Sequence, residues 1–184
     1  AEKPSEGAVA RPEGSSQPEV GRMPWYAVRV KSNCEKAVAA SLEGRCLTSF
    51  LPLYRTRIRQ FAREKEADVP LFCGYVFARF DFNRRLPVLQ IPGVVHIVVC
   101  AGQPAPIDES ELLSIQRLVE SGTPCAPWPF LECGRKVMIN TGSMRGVEGI
   151  LLQIKNRLRI VISITLLQRS VAVEIDRDMI QPVL

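Results

Sequence analysis

Six cysteines (Cys34, Cys46, Cys73, Cys100, Cys125 and Cys133) and one histidine, His96, are the side chains best able to act as nucleophile, base or soft metal ligand. Their spacing fits neither use. No two cysteines form a Cys-x-x-Cys pair, and one imidazole argues against a structural zinc site. A thiol nucleophile would have to be Cys34, Cys73 or Cys100 with His96 as base, and none lies in a recognisable motif or activating environment. His96 sits in an apolar run, where a packed or interface role is expected. Gly142, Gly146 and Gly149 lack the Lys-Ser/Thr ending that a phosphate-cradling loop needs. Neither catalysis nor a cofactor is expected, and most of the cysteines read as small core hydrophobes of a reduced, cytoplasmic protein.

The chemistry that remains is recognition. Residues 70–81 read as one strand, on which Tyr75, Phe77 and Arg79 point one way and Gly74, Val76, Ala78 and Phe80 the other. The second set is a core face. The first joins two large aromatics to a charge, as expected where a sheet surface stays wet until a partner docks; burial under a helix or loop is the alternative. Residues 25–31 repeat the pattern, with Tyr26, Val28 and Val30 on one face and Trp25, Ala27, Arg29 and Lys31 on the other. A third feature is cationic: Arg55, Arg57, Arg59, Arg63 and Lys65 accompany only Glu64 within residues 55–65. A hairpin tip of that charge would touch phosphates in a salt-dependent way, or else be a solvated loop.

These residues need elements to hold them. The chain has 184 residues, 46% of them hydrophobic and 23% charged, with a formal net charge of +5. Such a length serves one medium domain or two small ones, and the mild basicity is compatible with nucleic acid or a protein lying on it. No signal segment and no apolar run long enough to cross a bilayer is read, so no membrane association is expected. Residues 1–22 are rich in Pro, Gly, Ser and Glu, and read as a flexible tail. After the strand at 25–31, Ser32 and Glu35 have capping-box spacing for a helix over 33–43 that stops at Gly44. Residues 46–59 read as a long strand, 82–90 as one or two helical turns, 91–93 as a turn and 94–99 as an interior strand. Asp108 caps a helix through Val119 with Leu112, Ile115 and Leu118 on one face. The fold class expected is α+β, an antiparallel sheet with helices on one side, over residues 23–122. Residues 123–134, with three prolines, suit a linker. Short β-branched segments at 136–140, 147–154, 158–164 and 170–174 then imply a small all-β barrel over 135–184.

Two stretches resemble a known family. Residues 137–150, with Gly142, Gly146 and Gly149 at fixed offsets, resemble a KOW motif on an SH3-like barrel. Trp25-Tyr26, residues 70–77 and Ile91-Pro-Gly-Val94 resemble the N-terminal (NGN) domain of NusG-type transcription elongation factors. The resemblance runs from about residue 24 to 183. It implies a monomer that rests its aromatic sheet face on the clamp helices of the RNA polymerase β′ subunit, suppresses pausing or termination, and recruits other factors through the barrel. Phe72, Tyr75 and Phe77 sit at the family's polymerase-contacting positions, with Trp25 and Arg29 on the neighbouring strand. Arg55, Arg57, Arg59, Arg63 and Lys65 would reach non-template DNA or the polymerase itself. Leu166, Leu167 and Arg169 fall in the family's partner-docking loop, the aromatic often found there being replaced by leucine. Ribosomal protein S10 or Rho would be the barrel's partner. Cys73 in place of a common proline, together with the cationic hairpin, points to a specialised paralogue serving antitermination. The alternative reading is an RNA-binding or ribosome-associated KOW module.

Overall fold

The computed structural model describes residues 23–60, 63–128, 134–154 and 157–183. Strand β1 (Trp25–Val30) leads to helix α1 (Glu35–Glu43), then β2 (Thr48–Phe50), the hairpin β3 (Leu53–Gln60) and β4 (Arg63–Pro70), and β5 (Tyr75–Arg79). A 3-10 turn at Phe82–Arg84 and helix α2 (Leu86–Leu89) precede β6 (Val94–Ile97), the small hairpin β7 (Val99–Cys100) and β8 (Gln103–Pro104), and helix α3 (Glu109–Glu120). The remainder is β9 (Cys125–Trp128), β10 (Arg135–Ile139), β11 (Glu148–Ile154), β12 (Arg157–Ile164), β13 (Arg169–Ile175) and β14 (Ile180–Pro182). The class is α+β. A four-stranded sheet runs β2-β5-β1-β6, and a six-stranded antiparallel sheet runs β14-β10-β11-β12-β13-β9.

The central antiparallel pair sets Val28 against Val76, Ala27 against Phe77 and Arg29 against Tyr75. Because strand side chains alternate, one face collects Tyr26, Val28, Val30, Val76, Ala78 and Phe80, all buried against Val38, Ala39 and Leu42 of α1 and Val88 of α2. The alternation read from the sequence holds on both strands.

Several boundaries differ from the expectation, each for a local reason. The strand over 46–59 is two strands: Pro52 lies at the break and has no amide to donate to a continuing ladder. The strand over 70–81 is broken by a turn at 71–74, where Gly74 takes φ +80°, so Phe72 stands on the turn. Helix α1 starts at Glu35 without a side-chain cap. The capping box does not form, because the Glu35 carboxylate instead accepts the Gly74 N–H at 2.8 Å. Residues 94–97 form an edge strand with Val95 and His96 exposed, not an interior one. Helices cover both faces of the sheet, α3 lying on the side opposite α1 and α2. Within the expected linker, Cys125–Trp128 pairs with β13; this strand ends the sheet, the position where Pro127 is tolerated.

The glycines at 142 and 146 turn with φ +75° and +82°. Gly149 is needed for space: a Cβ there would lie 2.4 Å from Ile160 and 2.6 Å from the Val161 carbonyl, so any side chain would push β11 off β12.

Candidate functional site

The second face of the four-stranded sheet carries Trp25 and Ala27 from β1 and Phe77 from β5, with Phe72 supplied by the turn before β5. Phe72 meets Phe77 edge-on at 5.6 Å between centroids, and Phe50 stacks on Phe77 at 6.2 Å. The face is not wet. Phe77 has no exposed surface, Phe72 has 1% and Trp25 6%. They share one apolar cluster with Leu112, Ile115 and Leu118 of α3 and with Val147, Ile164 and Leu167 of the barrel. The expectation of exposed aromatics is thus corrected: a face this apolar is covered, here by a helix and by the barrel.

Tyr75 stays half-buried at the seam. Arg29 lies 4.8 Å from its ring centroid and Arg169, from the barrel, 5.3 Å. Guanidiniums over an aromatic face are attracted by its quadrupole. Arg79 lies over Trp25 at 4.9 Å and pairs with Glu109, tying α3 to the sheet. All five aromatic-face residues read from the sequence are therefore gathered in one place.

The cover is fastened by a row that sequence reasoning missed. On α3, Glu111, Ser114 and Arg117 recur at three-residue spacing, one helical row away from Leu112, Ile115 and Leu118. Each bonds a different part of the barrel. Glu111 accepts from Thr165 Oγ1 at 2.6 Å and Thr165 N–H at 3.1 Å; Ser114 Oγ accepts from Glu148 N–H at 3.5 Å; Arg117 donates to Gly146 O at 2.8 Å. The only signal in the sequence is that polar row beside an apolar one, which a solvated helix shows equally well.

The loop assigned to partner docking lies on the same seam. Leu167 is buried in the shared cluster, Leu166 packs on it, and Arg169 faces Tyr75. Thr165–Leu167 forms a 3-10 turn whose first amide Glu111 caps.

The basic hairpin is not a plain cationic surface. In register, Arg55 faces Asp68, Arg57 faces Glu66 and Arg59 faces Glu64, while Arg63 and Lys65 face Gln60 and Ile58. Arg55 Nε stands 3.5 Å from Asp68 Oδ1. The hairpin's sequence carries five cations and three carboxylates, a formal excess of two, and the tip at 61–62 lies outside the described residues. The acids were missed because a count over 55–65 stops before Glu66 and Asp68.

Among the described residues, three groups titrate away from their ordinary range. Burial pushes the Cys125 thiol up, which disfavours its reactive thiolate. Burial, with the Asp81 charge, pushes the Tyr26 phenol up. Hydrogen bonds from Ser110 hold the Asp108 carboxyl below its ordinary value, as an N-cap should. No helix among the described residues is long and apolar enough to cross a membrane.

The family comparison gives the class, transcription elongation factors, a family of non-enzymatic proteins. The sequence model of the NusG family, described as "Transcription termination factor nusG", matches residues 23–116, just over half the chain, and the chain belongs to that family. The structure described as "Domain interaction in Thermotoga maritima NusG" is similar at 21% identity and a TM-score of 0.54, covering 89% of this chain and 98% of that one. One described as "Crystal Structure of MjSpt4:Spt5 complex conformation B" scores 0.27 at 17% identity, over 86% of this chain and 96% of that one. No curated protein matches this chain at significant similarity.

Proposed function

We propose that this chain binds the clamp helices of the RNA polymerase β′ subunit through Trp25, Phe72, Tyr75 and Phe77, and that its own barrel must first release that face. One observation supports the reading above others: the aromatic face shares its apolar cluster with α3 and with residues from far downstream, and Arg169 of the barrel stands over Tyr75 at its edge, so a downstream segment lies where a partner would dock. Factors that prefer the closed, elongating clamp shift its equilibrium by their difference in affinity, and the usual coupling of about 1–3 kcal/mol changes pausing or termination by about 5- to 150-fold. No bond is made or broken. The N-terminal unit would be residues 23–122 and the barrel 135–184, with the loop at Leu166, Leu167 and Arg169 offered to a further factor, ribosomal protein S10 or Rho, once it leaves the seam. Arg55, Arg57, Arg59, Arg63 and Lys65 would touch non-template DNA or polymerase through the hairpin's excess of two charges. That small excess gives the RNA-module reading no particular support.

The test is binding of the full chain to a purified β′ clamp-helix coiled coil at two salt concentrations. The wild type, Glu111→Ala with Arg117→Ala, and Tyr75→Ala on that released background should rank weak, strong and lost. Phe77 is too deeply buried for its alanine variant to separate binding from folding, whereas Tyr75 is half-exposed. A released chain that ignores the coiled coil and instead holds RNA at low salt would sink the proposal.

A further inference from the structure

The turn before β5 decides where Phe72 and Tyr75 stand. Residues 72–75 form a reverse turn closed by Tyr75 N–H donating to Phe72 O at 3.0 Å, with Gly74 at the third position at φ +80°. That is the type II conformation; flipping the peptide between its second and third residues gives type I. Here the peptide that could flip joins Cys73 to Gly74. Its N–H donates to Glu35 Oε1 at 2.8 Å, in buried surroundings. Beside its carbonyl stands the opposite charge: Arg29 Nη1 lies 3.5 Å from Cys73 O and donates to Gly74 O at 3.2 Å. Val30 N–H adds a bond to Gly74 O at 2.9 Å.

Each member is constrained. Glu35 is 6% exposed, and a buried carboxylate is strongly disfavoured without donors, so a flip that turned the Gly74 N–H away would leave it unpaired. A side chain at Gly74 would be strained by φ +80°, and its Cβ would displace the Arg29 guanidinium from its place beside the turn. Arg29 is held on its other side by the Tyr75 ring.

We infer that Glu35 and Arg29 form a charged clamp on the Cys73–Gly74 peptide, and that they are positioning residues which fix the turn in its type II state and so aim Phe72 and Tyr75 at the partner. The inference rests on the polymerase-binding reading of the face. It gives Arg29 a role that acts through the turn and Tyr75, and it explains why the carboxylate of α1's first residue leaves the helix end it was expected to cap.

The experiment uses the full chain released by Glu111→Ala and Arg117→Ala. Glu35→Gln, Glu35→Ala and Arg29→Lys are added singly, and two quantities are read: the Gly74 amide proton resonance by NMR, and affinity for the clamp-helix coiled coil. Glu35→Gln keeps a neutral acceptor, so it should shift the Gly74 resonance yet bind within a few-fold of the parent. Glu35→Ala and Arg29→Lys should both move the resonance and weaken binding about tenfold, as when an anchor loses its fixed position, with circular dichroism unchanged. A Gly74 amide indifferent to Glu35→Ala, or parental affinity in both disruptive variants, overturns the clamp. A released parent that does not bind counts against the polymerase reading instead, and the Gly74 amide then decides the clamp by itself.

Discussion

The two faces of the four-stranded sheet are made by the same strands and covered by different means. The face of Tyr26, Val28, Val30, Val76 and Ala78 is closed by α1 and α2, elements interleaved with its own strands. The face of Trp25, Ala27 and Phe77 is closed by α3 and by a barrel far downstream. The second cover includes a row of polar contacts from Glu111, Ser114 and Arg117 of α3 to the barrel. Such bonds contribute about 0.5–1.5 kcal/mol each, and somewhat more when one group is charged. One face is closed by elements interleaved with its own strands, and the other in part by elements far along the chain.

That contrast is broken most strongly from the core side. Leu42→Ala removes a fully buried side chain of α1 and should cost about 2–5 kcal/mol in denaturant unfolding, leaving the bonds from α3 to the barrel in place. A loss below about 1 kcal/mol would show the α1 face to be as loosely built as the other. Next in size, Glu111→Ala with Arg117→Ala should remove about 1–3 kcal/mol of closure. Small-angle scattering should then show a larger radius of gyration, and amide exchange should quicken along the seam while the α1 face keeps its protection. Equal exchange on both faces would mean that the cover is not separable. Asp68→Ala frees Arg55 from an exposed pair and should change stability by no more than about 1 kcal/mol. It should also steepen the salt dependence of any nucleic-acid binding; an unchanged slope would remove the hairpin from the binding surface.

The smallest effect concerns pH. The Asp108 carboxyl is held below its ordinary value mainly by Ser110, so on acidification the unfolded chain takes up this proton before the folded one does. The stability supplied by the cap is then fully present above the ordinary carboxylate pKa and fades as pH falls through the lowered folded value. Asp108→Asn retains an acceptor for the Ser110 amide but carries no titrating charge. Its unfolding free energy should decline less between about pH 5 and the acid limit than the wild type's; parallel curves would argue that the Asp108 charge is irrelevant to α3.

The faces were legible in the sequence because strand side chains alternate with a period of two, so Tyr26 and Trp25 could be assigned to opposite sides without knowing what lay on either. What covered Trp25 was not legible. It depends on contacts between residues far apart in sequence, and the row Glu111, Ser114, Arg117 looks the same whether water or a barrel lies over it. Local rules misled in a similar way at Glu35, where a helix-end motif competed with a bond to Gly74 thirty-nine residues on, and the buried long-range bond prevailed. The charge ladder of β3 and β4 was hidden because opposition across a hairpin is fixed by register, and a linear count of arginines contains no register. The glycine spacing of residues 142–149 was readable because each glycine answers a local demand for a turn or for close approach.

Strand β9 bears on how far the barrel can travel. It is already zipped to β13, so only residues 121–124 separate the end of α3 from the barrel's edge. Four residues reach roughly 14 Å at full stretch, and the link is drawn in further by Thr123 N–H donating to Ser121 Oγ at 3.1 Å. On so short a leash the barrel can pivot away from Phe72 and Phe77 but cannot wander. Peeling β9 from β13 would pay out residues 121–134, roughly 45 Å of chain. The pairing of four backbone residues at the edge of a sheet thus sets two working radii, and with them the set of docking points that sheet and barrel can occupy on a large partner at the same moment.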